Sequence, residues 1–225
     1  MKAKGGLRPP SPAEGGGRGA RVGVVDYGMG NRRSVEKALE HVGASVVVSS
    51  DVALLGACDG LVVPGVGAFP KAMENLAALG LDELIVERVG AGVPVLGICL
   101  GLQVAFERSS ELGGAAGLGI VPGEVRQLNP GGLKLPHIGW SEVHWLRDSP
   151  LLGGVGQDVA YYHVHSYACE PHEPADMLGT AEYGRRFVTA VARGSFIGVQ
   201  FHPEKSSLDG LRLLANFASI CVAAT

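Results

Sequence analysis

A chain of 225 residues that is 46% hydrophobic and 18% charged can bury a sizeable core, so it reads as globular and core-rich rather than disordered overall. The formal net charge of −3 hides an asymmetry: residues 1–20 carry Lys2, Lys4, Arg8 and Arg18 against Glu14, the rest of the chain is clearly acidic, and no basic stripe points to nucleic acid. Cysteines 58, 99, 169 and 221 form no C-x-x-C pair, no apolar run reaches the roughly 18 residues of a membrane span, and Gly5-Gly6 and Pro9-Pro10-Ser11-Pro12 stand where a secretory leader needs an apolar core; the expectation is a cytoplasmic protein with reduced thiols.

Residues 1–20, rich in Gly and Pro and without apolar periodicity, read as a flexible tail, and residues 21–225 as a single domain. Arg21–Val25 is a short apolar run of the buried-strand kind, and Asp26-Tyr27-Gly28-Met29-Gly30-Asn31 is the turn at its end. Val35, Ala38, Leu39 and Val42 then recur at i, i+3, i+4 and i+7 with Gly43 as a stop, which predicts a helix. Ser45–Val48 and Gly60–Val63 are the next strands, the second running into Pro64-Gly65-Val66-Gly67-Ala68-Phe69. Helices are expected near Ala68–Leu79 and Leu81–Val89, and Pro94–Ile98 is another buried strand. Strands alternating with helices predict an α/β fold, an open, mostly parallel twisted sheet with helices on both faces.

After about residue 118 the texture changes. Glu124–Leu128, Glu142–Leu146, Asp158–Ala168 and Phe187–Ala192 are β-like segments between Gly and Pro turns, and they predict a smaller antiparallel segment. Phe196–Phe201 reads as a late strand returning to the main sheet. His202-Pro203-Glu204-Lys205 and a helix from about Ser207 to Val222 follow, with Ser206 and Asp209 as a capping box.

The chemistry centres on Gly97-Ile98-Cys99-Leu100-Gly101, at the end of the Pro94–Ile98 strand and before an apolar stretch, Leu100 to Phe106, with helical spacing. This is a Gly-x-nucleophile-x-Gly elbow with Cys in the nucleophile position, although a buried cysteine in a Gly-rich turn fits the same letters. A thiolate nucleophile needs a base, and His202 stands on a short, Pro-stiffened turn past a buried strand. Glu204, two residues on, can hold the tautomer and orientation of that imidazole. The N–H of Leu100 is the first expected oxyanion donor, and the Gly65-Val66-Gly67 loop, with Val66 and Gly67, is the expected source of the second. His165, Cys169 and His172 lack the spacing of common zinc sites, and Gly113–Gly119 lacks the Lys-Ser/Thr of a phosphate loop. No metal and no cofactor are expected.

Taken together, Pro64–Phe69, Gly97–Gln103 and His202-Pro203-Glu204, with Asp26–Asn31, Pro136-His137-Ile138-Gly139-Trp140 and Val164-His165-Ser166-Tyr167, resemble the class I (triad) glutamine amidotransferases. Within them the motifs are similar to the glutaminase subunits of imidazole glycerol phosphate synthase, over nearly all of residues 21–225. The resemblance implies the flavodoxin-like form of the fold and hydrolysis of the γ-amide of L-glutamine through a γ-glutamyl thioester. It gives Cys99, His202 and Glu204 the triad roles and implies contacts from Gly67, Gln103 and Ser166 to the substrate. It also implies a (β/α)8-barrel cyclase subunit as heterodimer partner, which receives the ammonia in histidine biosynthesis. Tyr27–Asn31, Trp140 and residues 165–167 are the candidates for the partner-facing side. His163 in a strand position expected to be apolar, Ser141 in place of a more familiar Asn, Arg32 in place of Leu, and the tail depart from the pattern. A glutaminase of another synthase, a γ-glutamyl hydrolase and an idle regulatory module of the same fold are the alternatives; the joint presence of Cys99, His202 and Glu204 speaks against the last.

Overall fold

The structure, a computed structural model, describes residues 19–224, so the expected tail lies outside the described residues except for Gly19 and Ala20. In chain order the first half comprises β1 (Arg21–Val25), α1 (Arg32–His41), β2 (Ser45–Ser49), α2 (Val52–Gly56), β3 (Gly60–Val63), α3 (Phe69–Ala78), α4 (Leu81–Gly90), β4 (Val95–Ile98) and α5 (Leu100–Gln103). The second comprises β5 (Phe106–Ser109), β6 (Ala115–Ala116), β7 (Val121–Gln127), β8 (His137–Trp145), β9 (Val159–His165), β10 (Tyr167–Pro171), β11 (Met177–Tyr183), β12 (Arg185–Arg193), β13 (Phe196–Val199) and α6 (Ser207–Ala223).

Strands β2-β1-β3-β4-β13 lie side by side and all parallel. The late strand β13 returns beside β4, as its apolar run predicts. Beyond it the sheet turns antiparallel at β12 and continues through β10 and β7 to β5 and β6, with β11, β8 and β9 branching from β12. Side chains alternate across a strand, so the parallel half divides the core in two. Val22, Val24, Val62, Leu96, Ile98 and Val199 meet α1 and α6 through Leu39, Leu214 and Phe217. Leu61, Val63, Val95 and Phe196 meet α3 and α4 through Phe69, Leu76, Leu81 and Ile85. Burial on both faces is why these strands are continuous apolar runs, and each fully buried large side chain contributes about 1.5–3 kcal/mol.

Three local expectations change. The apolar stretch Leu100–Phe106 is not one helix: α5 stops after a single turn, and Phe106 already opens β5. Val104 and Ala105 are fully buried because the connection itself crosses the core, which imitates helical spacing. Asp158–Ala168 is two strands that break at Ser166. Strand β11 and helix α2 carry no sequence mark that singles them out; α2 starts where the Asp51 carboxylate accepts from Leu54 N at 2.9 Å. The four cysteines are free and buried, and no helix among the described residues is long and apolar enough to cross a membrane.

Candidate active site

Strands β3, β4 and β13 are parallel neighbours, so their carboxyl ends open on one edge of the sheet, where sites form in open α/β folds. Cys99 follows β4 with φ +53° and ψ −105°, a conformation rarely adopted by a residue with a side chain. The glycines around it are a matter of space. A Cβ on Gly101 would sit 1.7 Å from the Val63 carbonyl oxygen, and one on Gly97 would sit 2.5 Å from that of Gly101. The Cys99 N–H donates to Val199 O at 2.8 Å, which fixes the elbow to the strand that carries the histidine. Its sulfur lies 3.8 Å from Val164 O, and Cys99 lines a cavity of about 280 Å³.

His202 and Glu204 converge on the elbow. The His202 Nδ1–H donates to Glu204 Oε1 at 2.9 Å, with the two side chains 2% and 1% exposed. The acceptor can only be the carboxylate, so Nδ1 carries the proton and Nε2 is the basic nitrogen. Nε2 has no hydrogen-bond partner among the described residues. Burial disfavours the charged ring, but the neighbouring Cys99 and Glu204 outweigh it and raise His202 to about 9. The turn itself is held by Ser206, whose hydroxyl donates to His202 O at 2.7 Å and accepts from Tyr162 N at 3.0 Å. The expected capping box therefore does not form: that hydroxyl is spent on the His202 turn and makes no cap bond to α6. The helix comes in close behind it, where a Cβ on Gly210 would lie 2.0 Å from Pro203 O.

The two expected oxyanion donors meet, but not as donors to a common point. Leu100 N donates to Gly65 O at 3.3 Å, so the Gly65–Val66 peptide presents its carbonyl to the elbow. In a trans peptide the N–H points opposite to the C=O, which turns the Val66 N–H away. Tyr27 packs beneath this loop with its hydroxyl donating to Pro64 O at 2.7 Å, and Gly30 packs against Gly65.

Val66, Gly67, Gln103 and Ser166 line the cavity with Cys99. Glu111, which no sequence pattern singles out, lines it too, and its carboxylate accepts from Phe69 N at 2.7 Å. The partner-facing candidates separate: Trp140 is 53% exposed and Gly28 is exposed, but Tyr27 and His165 are buried, the first under the oxyanion loop and the second against His137. His163 is a fully buried core histidine, bonded to Tyr161 O at 3.0 Å and Thr189 Oγ1 at 2.8 Å. Ser141 donates to His137 Nε2 at 3.0 Å, and Arg32 pairs with Asp26, holding its carboxyl below the usual range. His165, Cys169 and His172 do not converge: His165 Nδ1 donates to Tyr167 O at 2.8 Å, Cys169 is buried in the sheet, and His172 faces Glu107 at 3.8 Å.

An elbow cysteine, a buried His–Glu pair and a small cavity on a parallel sheet edge make an arrangement chemically suited to thiol-based hydrolysis or acyl transfer. Residues 23–221 match the family described as glutamine amidotransferase class-I. The chain is 48% identical over 199 residues to the imidazole glycerol phosphate synthase subunit HisH of Moorella thermoacetica, a match that covers 88% of this chain and 94% of that protein. It is 49% identical over 198 residues to the subunit of the same name in Symbiobacterium thermophilum, covering 88% and 93%. Among solved structures, PurLQS from Thermotoga maritima superposes with a TM-score of 0.70 at 18% identity, covering 90% of this chain and 99% of that one. The chain belongs to the class-I glutamine amidotransferases and, within them, to the HisH subunits of imidazole glycerol phosphate synthase.

Proposed function

We propose that this chain hydrolyses L-glutamine at Cys99 and delivers the ammonia to a (β/α)8-barrel cyclase subunit in histidine biosynthesis, in the cytoplasm. The observation that carries the site assignment is the buried His202–Glu204 pair beside a cysteine held at positive φ on a strand end. The Cys99 thiolate attacks the amide carbon of glutamine, and a C–S bond forms as the carbonyl electrons move to oxygen. Collapse of that oxyanion breaks the C–N bond, and the leaving nitrogen takes the proton from His202 Nε2. Water then attacks the γ-glutamyl thioester, giving its proton to His202 and releasing glutamate and the thiol. Glu204 keeps Nε2 as the working nitrogen throughout.

Gln103 and Ser166 are assigned to the bound glutamine, and Glu111 supplies a carboxylate suited to its α-ammonium group. The oxyanion donors are assigned to Leu100 N–H and to the Val66 N–H after the Gly65–Val66 peptide rotates; Gly67, at φ +128°, gives the loop the freedom to do so. Because Gly65 O occupies Leu100 N, the isolated chain should turn over slowly and accelerate with the cyclase and its ribulose-phosphate substrate. A glutaminase assay with and without that subunit and its substrate tests this. Stimulation of ~10²-fold or more is expected, the scale of one oxyanion-hole donor, together with complete loss of turnover in folded Cys99→Ala. Full-rate hydrolysis by the chain alone would refute the gating, and residual turnover in Cys99→Ala would refute the nucleophile.

A further inference from the structure

Gln200 follows β13 directly, two residues before His202, and is fully buried. Its backbone bond to Thr189 O at 2.8 Å is open to any residue, so the carboxamide needs its own explanation. That carboxamide touches two groups: its Oε1 accepts from Gln103 Nε2 at 3.1 Å, and its Nε2 lies 3.6 Å from Cys99 Sγ. The orientation follows from the network. Tyr167 O is a carbonyl and can only accept, so the Gln103 group 3.1 Å from it is the NH2. The same NH2 faces Gln200, which must therefore present its oxygen to Gln103 and its N–H to the sulfur.

We propose that Gln200 is a further catalytic residue, which donates a hydrogen bond to the Cys99 sulfur and is aimed there by Gln103. An N–H donor favours the thiolate over the thiol and holds the sulfur in one position without adding a charge to a buried site. An apolar residue of similar size would leave one Gln103 hydrogen and the sulfur without this contact. Because Gln103 also lines the cavity, the same pair of amides ties the wall of the glutamine site to the nucleophile. The proposal rests on Cys99 acting as the nucleophile.

The test is the pH dependence of Cys99 alkylation by iodoacetamide in the full chain, followed by the mass of the Cys99 peptide, for wild type, Gln200→Leu and Gln200→Glu. Loss of the donor should raise the midpoint of the alkylation profile by about one pH unit in Gln200→Leu, equivalent to a tenfold change in the thiol–thiolate equilibrium. With the cyclase present, kcat for glutamine should fall ~10-fold while KM stays within about threefold. A residue that merely filled space would change the alkylation rate without moving the midpoint. Gln200→Glu keeps the oxygen that accepts from Gln103, so it remains informative where Gln200→Leu does not fold; its carboxylate beside the sulfur should move the midpoint further upward. A folded variant with the wild-type midpoint and kcat overturns this inference alone. A wild-type Cys99 that alkylates no faster than the other buried cysteines brings down the nucleophile assignment, and this inference with it.

Discussion

Ser206→Ala separates two explanations of the sequence around the His-Pro-Glu turn. The hydroxyl is 1% exposed at the residue level and serves two backbone groups, Tyr162 N and His202 O. His202 O keeps a second donor, Lys205 N at 3.0 Å, so the main cost falls on the Tyr162 N–H, which loses its acceptor. An unsatisfied donor costs about 1–3 kcal/mol and the second lost bond about 1 kcal/mol, so the substitution should destabilise by about 2–4 kcal/mol. For a domain of this size that lowers Tm by about 4–16 °C. The same loss frees the turn that aims His202, and kcat should fall ~10-fold with little change in KM. Urea unfolding and the cyclase-coupled glutaminase assay read the two effects, with Asp209→Asn as the control. If Ser206 acts through the turn, Asp209→Asn costs under about 1 kcal/mol, the scale of a lost helix-dipole interaction. A Ser206→Ala variant no less stable than Asp209→Asn would restore the capping box and refute the reasoning.

The histidines give stability a two-sided pH dependence. His202, raised to about 9, binds its proton more tightly folded than unfolded, so its contribution is complete below pH 6.5 and is lost as pH rises toward 9. Burial lowers His163 well below its usual range and His165 to about 3, so below about pH 6.5 the unfolded chain takes up protons that the folded one refuses. Each histidine then removes up to about 1.4 kcal/mol per pH unit of acidification, and urea midpoints should peak near neutrality. A midpoint that holds level from pH 6.5 to 5 contradicts this. Gly101→Ala would force a Cβ to 1.7 Å from a backbone oxygen, so the variant should lose several kcal/mol or fail to accumulate as soluble protein; wild-type Tm would disprove the packing argument. Glu204→Gln removes the anion beside His202 and should lower kcat ~100-fold or more while circular dichroism is unchanged; near-normal kcat would show that the carboxylate is not needed.

Much of the molecule was legible in the sequence, for identifiable reasons. β1, β3, β4 and β13 are covered on both faces, so burial writes each as an unbroken apolar run. The placement of Cys99, His202 and Glu204 was readable because each follows a recognisable strand end. What was missed depends on geometry that leaves no periodic trace. Val104 and Ala105 are apolar because they cross the core, and that extended the expected helix beyond its single turn. Ser206 satisfies a capping pattern in letters while its hydroxyl points the other way. Glu111 enters the cavity from a loop more than ten residues from the elbow, and the role of Gln200 is fixed only by what Tyr167 and Gln103 do around it. His163 looked out of place among apolar strand positions until Thr189 and Tyr161 supplied partners for both ring nitrogens.

The carbonyl of Gly65 is both lock and key blank. In its present orientation it occupies the Leu100 N–H, and half a turn of that one peptide unit would exchange the oxygen for the Val66 N–H, an added donor at the same place. The two proposed states thus differ chiefly by the two backbone torsions that flank one peptide plane. A single neutral hydrogen bond at the resting position is worth only about 1 kcal/mol, whereas moving such an equilibrium from 1:99 to 99:1 takes about 5.5 kcal/mol of differential binding. A docked subunit can supply that from a fraction of its contact energy. On the proposed gating, glutamine turnover should scale with the fraction of time the Gly65–Val66 peptide turns its N–H toward the elbow.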